Sequence, residues 1–285
     1  MNYIVLYNPL SNGGKGKEKA EEIKNYYNES KLEYQDITEL ENLSEFIHSD
    51  SGRSIILCGG DGTLHYFVNY VDCDKLETDV FYYPAGSGND FKRDTIGTVK
   101  EYRPYKINKY LKKLPFAEVN GKKYRYINGI GFGIDSFACV ERERVKAKNP
   151  DKKINYTGIV IKTWMFDYKP IDAVITIDGK KYTYKDVWIC PAMKCKSYGG
   201  GMIVAPNQDR LDETHSLSIT VFHGRNKLRI AYGFFHTFSA SHLKYKDICT
   251  ELKGKKITVE FAQAAPVQID GELIGNSKTF TAWAE

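Results

Sequence analysis

The chemistry-bearing stretch of this chain is Gly59-Gly60-Asp61-Gly62-Thr63, which follows the apolar run Ser54 to Cys58 and precedes a segment of helical character from Leu64 to about Tyr70. Glycines beyond the carboxyl end of a strand remove the Cβ atoms that would hold backbone N–H groups away from a phosphate, and they permit φ > 0. The N-terminus of a following helix adds unpaired N–H groups and the positive end of its dipole. Asp61 is the odd member. A carboxylate inside an anion site calls for a metal ion or a proton in transit to compensate its charge. Taken alone, Gly-Gly-Asp-Gly is also an ordinary surface turn, so the surrounding elements have to decide.

Two further loops follow the same plan. Tyr3 to Tyr7 reads as a strand leading into Asn8-Pro9-Leu10-Ser11-Asn12-Gly13-Gly14-Lys15-Gly16 and a polar helix to about Tyr27. It is not a Walker A loop, because no Lys-Ser or Lys-Thr closes it at the required distance. Val80 to Tyr83 opens into Pro84-Ala85-Gly86-Ser87-Gly88-Asn89-Asp90-Phe91 and another helix start. Between them a strand over Tyr34 to Ile37 ends at Thr38, with a helix over Leu40 to His48. Three strand-to-glycine-loop-to-helix transitions predict an α/β N-terminal domain with a parallel, doubly wound sheet over residues 1–112. Its loops share one sheet edge, where they can converge on one ligand.

After residue 112 the texture changes. Asn120-Gly121 and Asp178-Gly179 sit between β-rich runs as hairpin signals, and further strands read over Leu217–Phe222, Lys256–Phe261, Val267–Ile269 and Thr279–Trp283. The expectation is a mainly antiparallel β-sandwich C-terminal domain with a few helices over 113–285, its C-terminal tail left free to return to the first domain. The helices fall at Ser136–Ala147, Tyr156–Tyr168 and Lys227–Leu243. Within the last, the aromatic-rich stretch Leu228 to Phe238 suits an acyl pocket or a membrane interface, but its length favours a core helix.

The 285 residues suffice for two domains, and 42% hydrophobic with 27% charged residues describes a globular protein. The net charge of +5 favours phosphates or an anionic membrane surface and falls short of a nucleic-acid-binding signature. Six scattered cysteines without zinc-site spacing read as reduced thiols of a cytoplasmic protein. The start lacks the pattern of a signal peptide, and no apolar run is long enough for a transmembrane segment. Any membrane contact is then peripheral, at the inner face.

The two loops 59–63 and 84–91 together resemble the diacylglycerol kinase catalytic-domain family, which includes soluble bacterial lipid kinases and sphingosine kinases. Three further matches continue the resemblance in family order over nearly the whole chain: Asn128-Gly129-Ile130-Gly131-Phe132-Gly133, Gly199-Gly200-Gly201-Met202, and Gln268-Ile269-Asp270-Gly271-Glu272. The resemblance implies phosphoryl transfer from ATP, with Mg²⁺, to a lipid hydroxyl, most readily that of diacylglycerol, in a cleft between the two domains. It implies that Asn8, Thr38, Gly59, Gly60, Gly62, Thr63, Gly86, Ser87 and Asn89 border the nucleotide. Lys15, on the first glycine loop, is placed to reach the phosphates and has an equally good account as a surface lysine at a helix start. Asp61 is implied as the Mg²⁺ partner and second candidate base, and Asp270 as the general base with Glu272 beside it. Asp135 matches the position at which sphingosine kinases hold the lipid head group; as a helix N-terminal acid it has an equally good structural account.

Asp209 and Asp212 fall where some bacterial members carry a structural metal. Here Thr214 replaces the family's glycine, and Leu217 stands near the last acid. Arg142, Arg144 and Lys146 read as a solvated basic face. The other readings are a kinase for a sphingoid base, a polyprenol or a small alcohol, and a weakly catalytic nucleotide- or lipid-binding regulator. The partner is a lipid at a membrane surface, with no nucleic acid and with room for a homodimer.

Overall fold

The computed structural model describes residues 2–49, 52–86, 88–98, 100, 103–148, 158–159 and 162–285. The chain divides into two compact units, Met1–Leu114 and Pro115–Glu285.

The first unit has strands β1 (Asn2–Tyr7), β2 (Leu32–Asp36), β3 (Arg53–Gly59), β4 (Val80–Pro84) and β5 (Tyr105–Lys106). Its helices are α1 (Ser11–Gly14), α2 (Gly16–Glu21), α3 (Leu43–Ser49), α4 (Asp61–Tyr70), α5 (Asp90–Ile96) and α6 (Asn108–Leu111). The sheet order is β2-β1-β3-β4-β5, with the first four strands parallel and β5 antiparallel to β4. The apolar run of β3 is buried from Ser54 to Gly59, as expected for a strand covered on both faces. Register aligns the strand ends: Asp36 pairs Tyr7, Tyr7 pairs Cys58, and Gly59 pairs Pro84. The loops after β1, β3 and β4 therefore leave from one edge. Helix α4 starts at Asp61, three residues before the sequence reading, because the Gly60 carbonyl already accepts the N–H groups of Thr63 and Leu64. It buries Leu64, Phe67 and Val68, one face at i, i+3 and i+4.

The second unit is built on β6 (Phe116–Val119), β7 (Lys122–Arg125), β8 (Gly129–Phe132), β9 (Ile171–Ile177), β10 (Lys180–Ile189), β11 (Ala192–Met193), β12 (Ser197–Tyr198) and β13 (Met202–Ile203). It continues through β14 (Leu217–His223), β15 (Cys249–Gly254), β16 (Lys256–Ile269) and β17 (Glu272–Trp283), with helices α7 (Ile134–Lys148) and α8 (Lys227–Phe235). Three hairpins turn on Asn120-Gly121, Asp178-Gly179 and Asp270-Gly271, each with φ positive at both central residues, the backbone that a two-residue hairpin twist demands. The two strands read at Lys256–Phe261 and Val267–Ile269 are one long strand. An irregularity between Glu260 and Ala265 bends it, so its first half pairs β9 and its last residues pair β8. Pairing thus runs from β16 through β8, β11, β14, β10 and β9 back to β16, enclosing a core that includes Ile130, Phe132, Ile175, Ile219 and Phe261.

The C-terminal tail stays in this sheet. The Asp270-Gly271 turn commits β17 to β16, and its far edge pairs β6. Of the helix read over Tyr156–Tyr168, residues 158–159 and 162 are helical and Thr163–Asp167 form a wide turn, while residues 156–157 and 160–161 lie outside the described residues. The helix read over Lys227–Leu243 ends at Phe235 and continues in tighter turns, broken at Ala240, whose φ is 56°. Among the described residues no helix is long and apolar enough to cross a membrane.

Candidate active site

In the first unit the glycines at the sheet edge are required by contact. A Cβ on Gly59 would lie 2.2 Å from Thr63 Oγ1, and one on Gly86 would lie 2.5 Å from the Gly60 Cα. The loops after β3 and β4 therefore touch backbone to backbone. Asp61 ties them together. Its Oδ2 accepts the Asp90 N–H and its Oδ1 the Phe91 N–H, both at 2.9 Å, so the carboxylate caps α5 from the start of α4. Asn89, with φ 52°, closes the second loop on itself: its side-chain amide donates to the Gly86 carbonyl at 2.6 Å and accepts the Gly86 N–H at 3.1 Å. Arg93 reaches back to the Gly88 carbonyl and to Asp90. The first turn of α4 carries Asp61, Gly62 and buried Thr63 at this mouth.

Asn8, Lys15 and Thr38 follow strands that end along the same edge. Asn8 Oδ1 accepts the Leu10 N–H at 2.9 Å, shaping the turn after β1, and its carbonyl leaves no room for a Cβ on Gly16. Lys15 is exposed between α1 and α2. Thr38 follows β2 and gives both its N–H and its hydroxyl to Asp36 Oδ1, at 2.8 and 2.7 Å. Ser87 lies outside the described residues.

In the second unit the acids gather around the segment 127–129 that leads into β8. Asp270 sits at φ 53° in the β16–β17 turn and is buried. Its carboxylate accepts three backbone N–H groups, from Ile127 at 3.0 Å, Asn128 at 2.7 Å and Gly129 at 3.1 Å. Such a nest of amides fixes the carboxylate's orientation. Two residues on, Glu272 is held by Arg142, 3.5 Å away. Arg142, read from sequence as part of a solvated face, thus turns its guanidinium to Glu272 and Glu143.

Asp135 opens α7 and is buried. Gln268 Nε2 donates to its Oδ2 at 3.0 Å, while Gln268 Oε1 accepts the Gly271 N–H, so one side chain joins Asp135 to the Asp270 turn. The other oxygen, Oδ1, is buried without a hydrogen-bond partner. Burial pushes this carboxyl up to about 6, against the pull of the Gln268 hydrogen bond.

Asp209 and Asp212 lie on the loop before β14. Asp209 Oδ1 accepts the Leu211 N–H. Asp212 accepts from the Ser216 hydroxyl and from the N–H and hydroxyl of Thr214, and these bonds, Ser216 first, hold its carboxyl down at about 2. Among the described residues no three His, Cys, Asp or Glu side chains group so as to hold a metal. The loop's built feature is a cation instead. Buried Arg210 donates to the Ile127 carbonyl at 2.6 Å and to Asn128 Oδ1 at 2.8 Å, bracing the segment that cradles Asp270. Lys194 is buried beside it, its pKa lowered by burial and by the Arg210 charge. Sequence reasoning missed Arg210, Lys194 and Gln268 as parts of this cluster. Gln268 stood inside a quoted motif, which was the available signal.

Residues 2–114 match the diacylglycerol kinase catalytic domain, and residues 128–282 match the YegS C-terminal NAD kinase beta sandwich-like domain. Over 238 residues the chain is 25% identical to YtlR of Bacillus subtilis, provisionally named a lipid kinase, with 79% of this chain and 75% of that one covered. It is 21% identical over 226 residues to a Mycobacterium tuberculosis protein named diacylglycerol kinase, covering 77% and 70%. A solved structure from Bacillus anthracis, provisionally named a diacylglycerol kinase, is alike in fold, with a TM-score of 0.66 at 19% identity over 98% of this chain and 91% of its own. The chain belongs to the diacylglycerol kinase catalytic-domain family and is a kinase, a phosphotransferase that takes an alcohol group as acceptor.

Proposed function

We propose that this kinase moves the γ-phosphoryl group of ATP to the free hydroxyl of diacylglycerol at a membrane surface. The observation that carries the reading is the paired glycine loops locked by Asp61, whose backbones approach closely enough to line a polyphosphate. Gly59, Gly60, Gly62, Thr63, Gly86 and Asn89 border the phosphates, with Asn8 and Thr38 toward the rest of the nucleotide and exposed Lys15 as a counter-charge. Phosphoryl transfer asks for position and charge neutralisation more than for covalent chemistry. The acceptor hydroxyl gives its proton to Asp270, its oxygen bonds to the γ-phosphorus, and the bond to the bridging oxygen breaks to release ADP. Asp61 is the second candidate for that proton. Glu272, steadied by Arg142, adds negative charge beside Asp270.

Magnesium, bound with the triphosphate, supplies positive charge that offsets the phosphate oxygens. It would keep most of its ligands as phosphate and water, and Asp61 at the loop mouth would hold it through water, since both its oxygens already accept the Asp90 and Phe91 N–H groups. A metal at Asp209 and Asp212 has less support, since it would have to displace the Thr214 and Ser216 bonds. Asp135, with its unmatched Oδ1, positions the acceptor's head group. The relative named diacylglycerol kinase supports that acceptor.

The test offers radiolabelled ATP with Mg²⁺ to the enzyme and a panel of diacylglycerol, a sphingoid base, a polyprenol and glycerol. Label in phosphatidic acid is the expected result. Label in another product reassigns the acceptor, and nucleotide binding without any labelled product supports the regulator reading instead.

A further inference from the structure

Helix α8 lies over the second unit's sheet with its inward face made by Ile230, Gly233 and Phe234. Gly233 leaves space for Ile248, and the Phe234 ring packs 5.3 Å from Phe222. The outward face is unusual. Leu228 is 79% exposed, Tyr232 51% and Phe235 76%, and their i, i+4, i+7 spacing puts them on one side of the helix. One tight turn later Phe238 is 56% exposed, its ring 6.3 Å from that of Phe235. Nine large apolar side chains are exposed among the described residues, and four of them fall within this stretch of eleven. Scattered exposed apolar groups need no account, but a contiguous aromatic cluster marks a surface that another phase or molecule covers.

Charge identifies the cover. Residues 225–247 hold five Lys and Arg against one Asp, a net of +4 beside +5 for the whole chain. Arg225 is matched by Asp186 and Arg229 by Asp247, while Lys244 and Lys246 add positive charge and are both exposed. A second copy of the chain meeting this face through a two-fold axis would set these like charges against each other. An anionic lipid surface complements them and accepts the aromatic rings at the head-group level.

We propose that the outer face of α8 and the turn through Phe238 is the surface by which this protein docks on anionic membranes, with Phe235, Phe238 and Leu228 inserted and the lysines at the head groups. The face is a property of the second unit alone. Its use in turnover rests on the lipid-kinase reading above, whereas its binding does not.

The experiment floats the full chain, without nucleotide, on vesicles of phosphatidylcholine and on vesicles with an equal part of phosphatidylglycerol. Binding to the mixed vesicles alone is expected. Phe235→Ala with Phe238→Ala should cut that binding roughly tenfold or more, and Lys244→Glu with Lys246→Glu should cut it comparably. These side chains are exposed, so circular dichroism and thermal midpoint should stay those of wild type. In a second arm, the aromatic double variant should lose turnover on vesicle-borne diacylglycerol and keep it on a water-soluble short-chain diacylglycerol. Wild type that binds neither vesicle overturns the docking face. So does a double variant that binds unchanged, or one that turns a dimer into monomers while still binding. Wild type that binds as expected but phosphorylates neither diacylglycerol sinks the choice of acceptor and leaves the docking face standing.

Discussion

Asp270 carries two demands at once. Its carboxylate accepts three amides that hold the 127–129 segment, and the proposed mechanism asks it to take up a proton. Asp270→Asn is expected to lower turnover by about 10²–10⁴ while nucleotide binding, measured by equilibrium titration, survives. Turnover near wild type would pass the role to Asp61. Asp135 gives a prediction with a pH sign. Its carboxyl is up at about 6 in the fold against 3.8 in the open chain, so between these values the folded chain holds the proton more tightly. Stability from this group is therefore fully present below about pH 4 and is lost as pH rises to about 6, a cost of about 3 kcal/mol at neutral pH. Asp135→Asn should raise the thermal midpoint at pH 7, match wild type near pH 4, and slow turnover. A variant no more stable than wild type at pH 7 would refute the buried-charge account. That Asp135 is an acid at a helix start was legible in the sequence. Its unmatched oxygen was not, because Gln268, its partner, lies 133 positions away.

At the scale of elements, the strand-loop-helix grammar of the first unit could be read directly, because parallel strands buried on both faces are continuous apolar runs and the glycines follow them at once. The contact between the loops could not. Only the β3–β4 register places Gly86 against Gly60. Gly86→Ala should therefore cost about 1–3 kcal/mol by overpacking and weaken nucleotide binding, since the added methyl also meets Asn89 Oδ1 at 2.9 Å. A thermal midpoint and nucleotide affinity both equal to wild type would count against the close approach. Helix α8 shows the opposite case. Its length and apolar content argued for a core helix, and half of that argument holds, since Ile230, Gly233 and Phe234 face inward. Leu228 and Phe235 stay exposed on its other side, and hydropathy does not reveal which side of a short helix meets solvent.

For the molecule as a whole, +5 is a modest charge, but its concentration around α8 makes it act locally. Raising salt shortens the Debye length from about 10 Å at 0.1 M to about 3 Å at 1 M. Turnover on vesicle-borne diacylglycerol should then fall steeply with salt, while turnover on the short-chain substrate changes little. Equal salt dependence in both assays would remove the electrostatic part of the docking.

What the sequence determined by itself is what local chemistry dictates: the strands and their alternation, the glycine loops behind them, the Asn120-Gly121 and Asp178-Gly179 turns, and through its motifs the kinase family. The tertiary structure alone decided which amides Asp61 and Asp270 accept, that Arg210 braces the Asp270 cradle, that the long β16 closes the second sheet on itself, and that the aromatic ridge of α8 stays uncovered. The division has a physical cause. Backbone preference and apolar period act over a few residues, whereas burial and hydrogen-bond satisfaction are settled between groups that chain closure brings together from 29 to 133 positions apart.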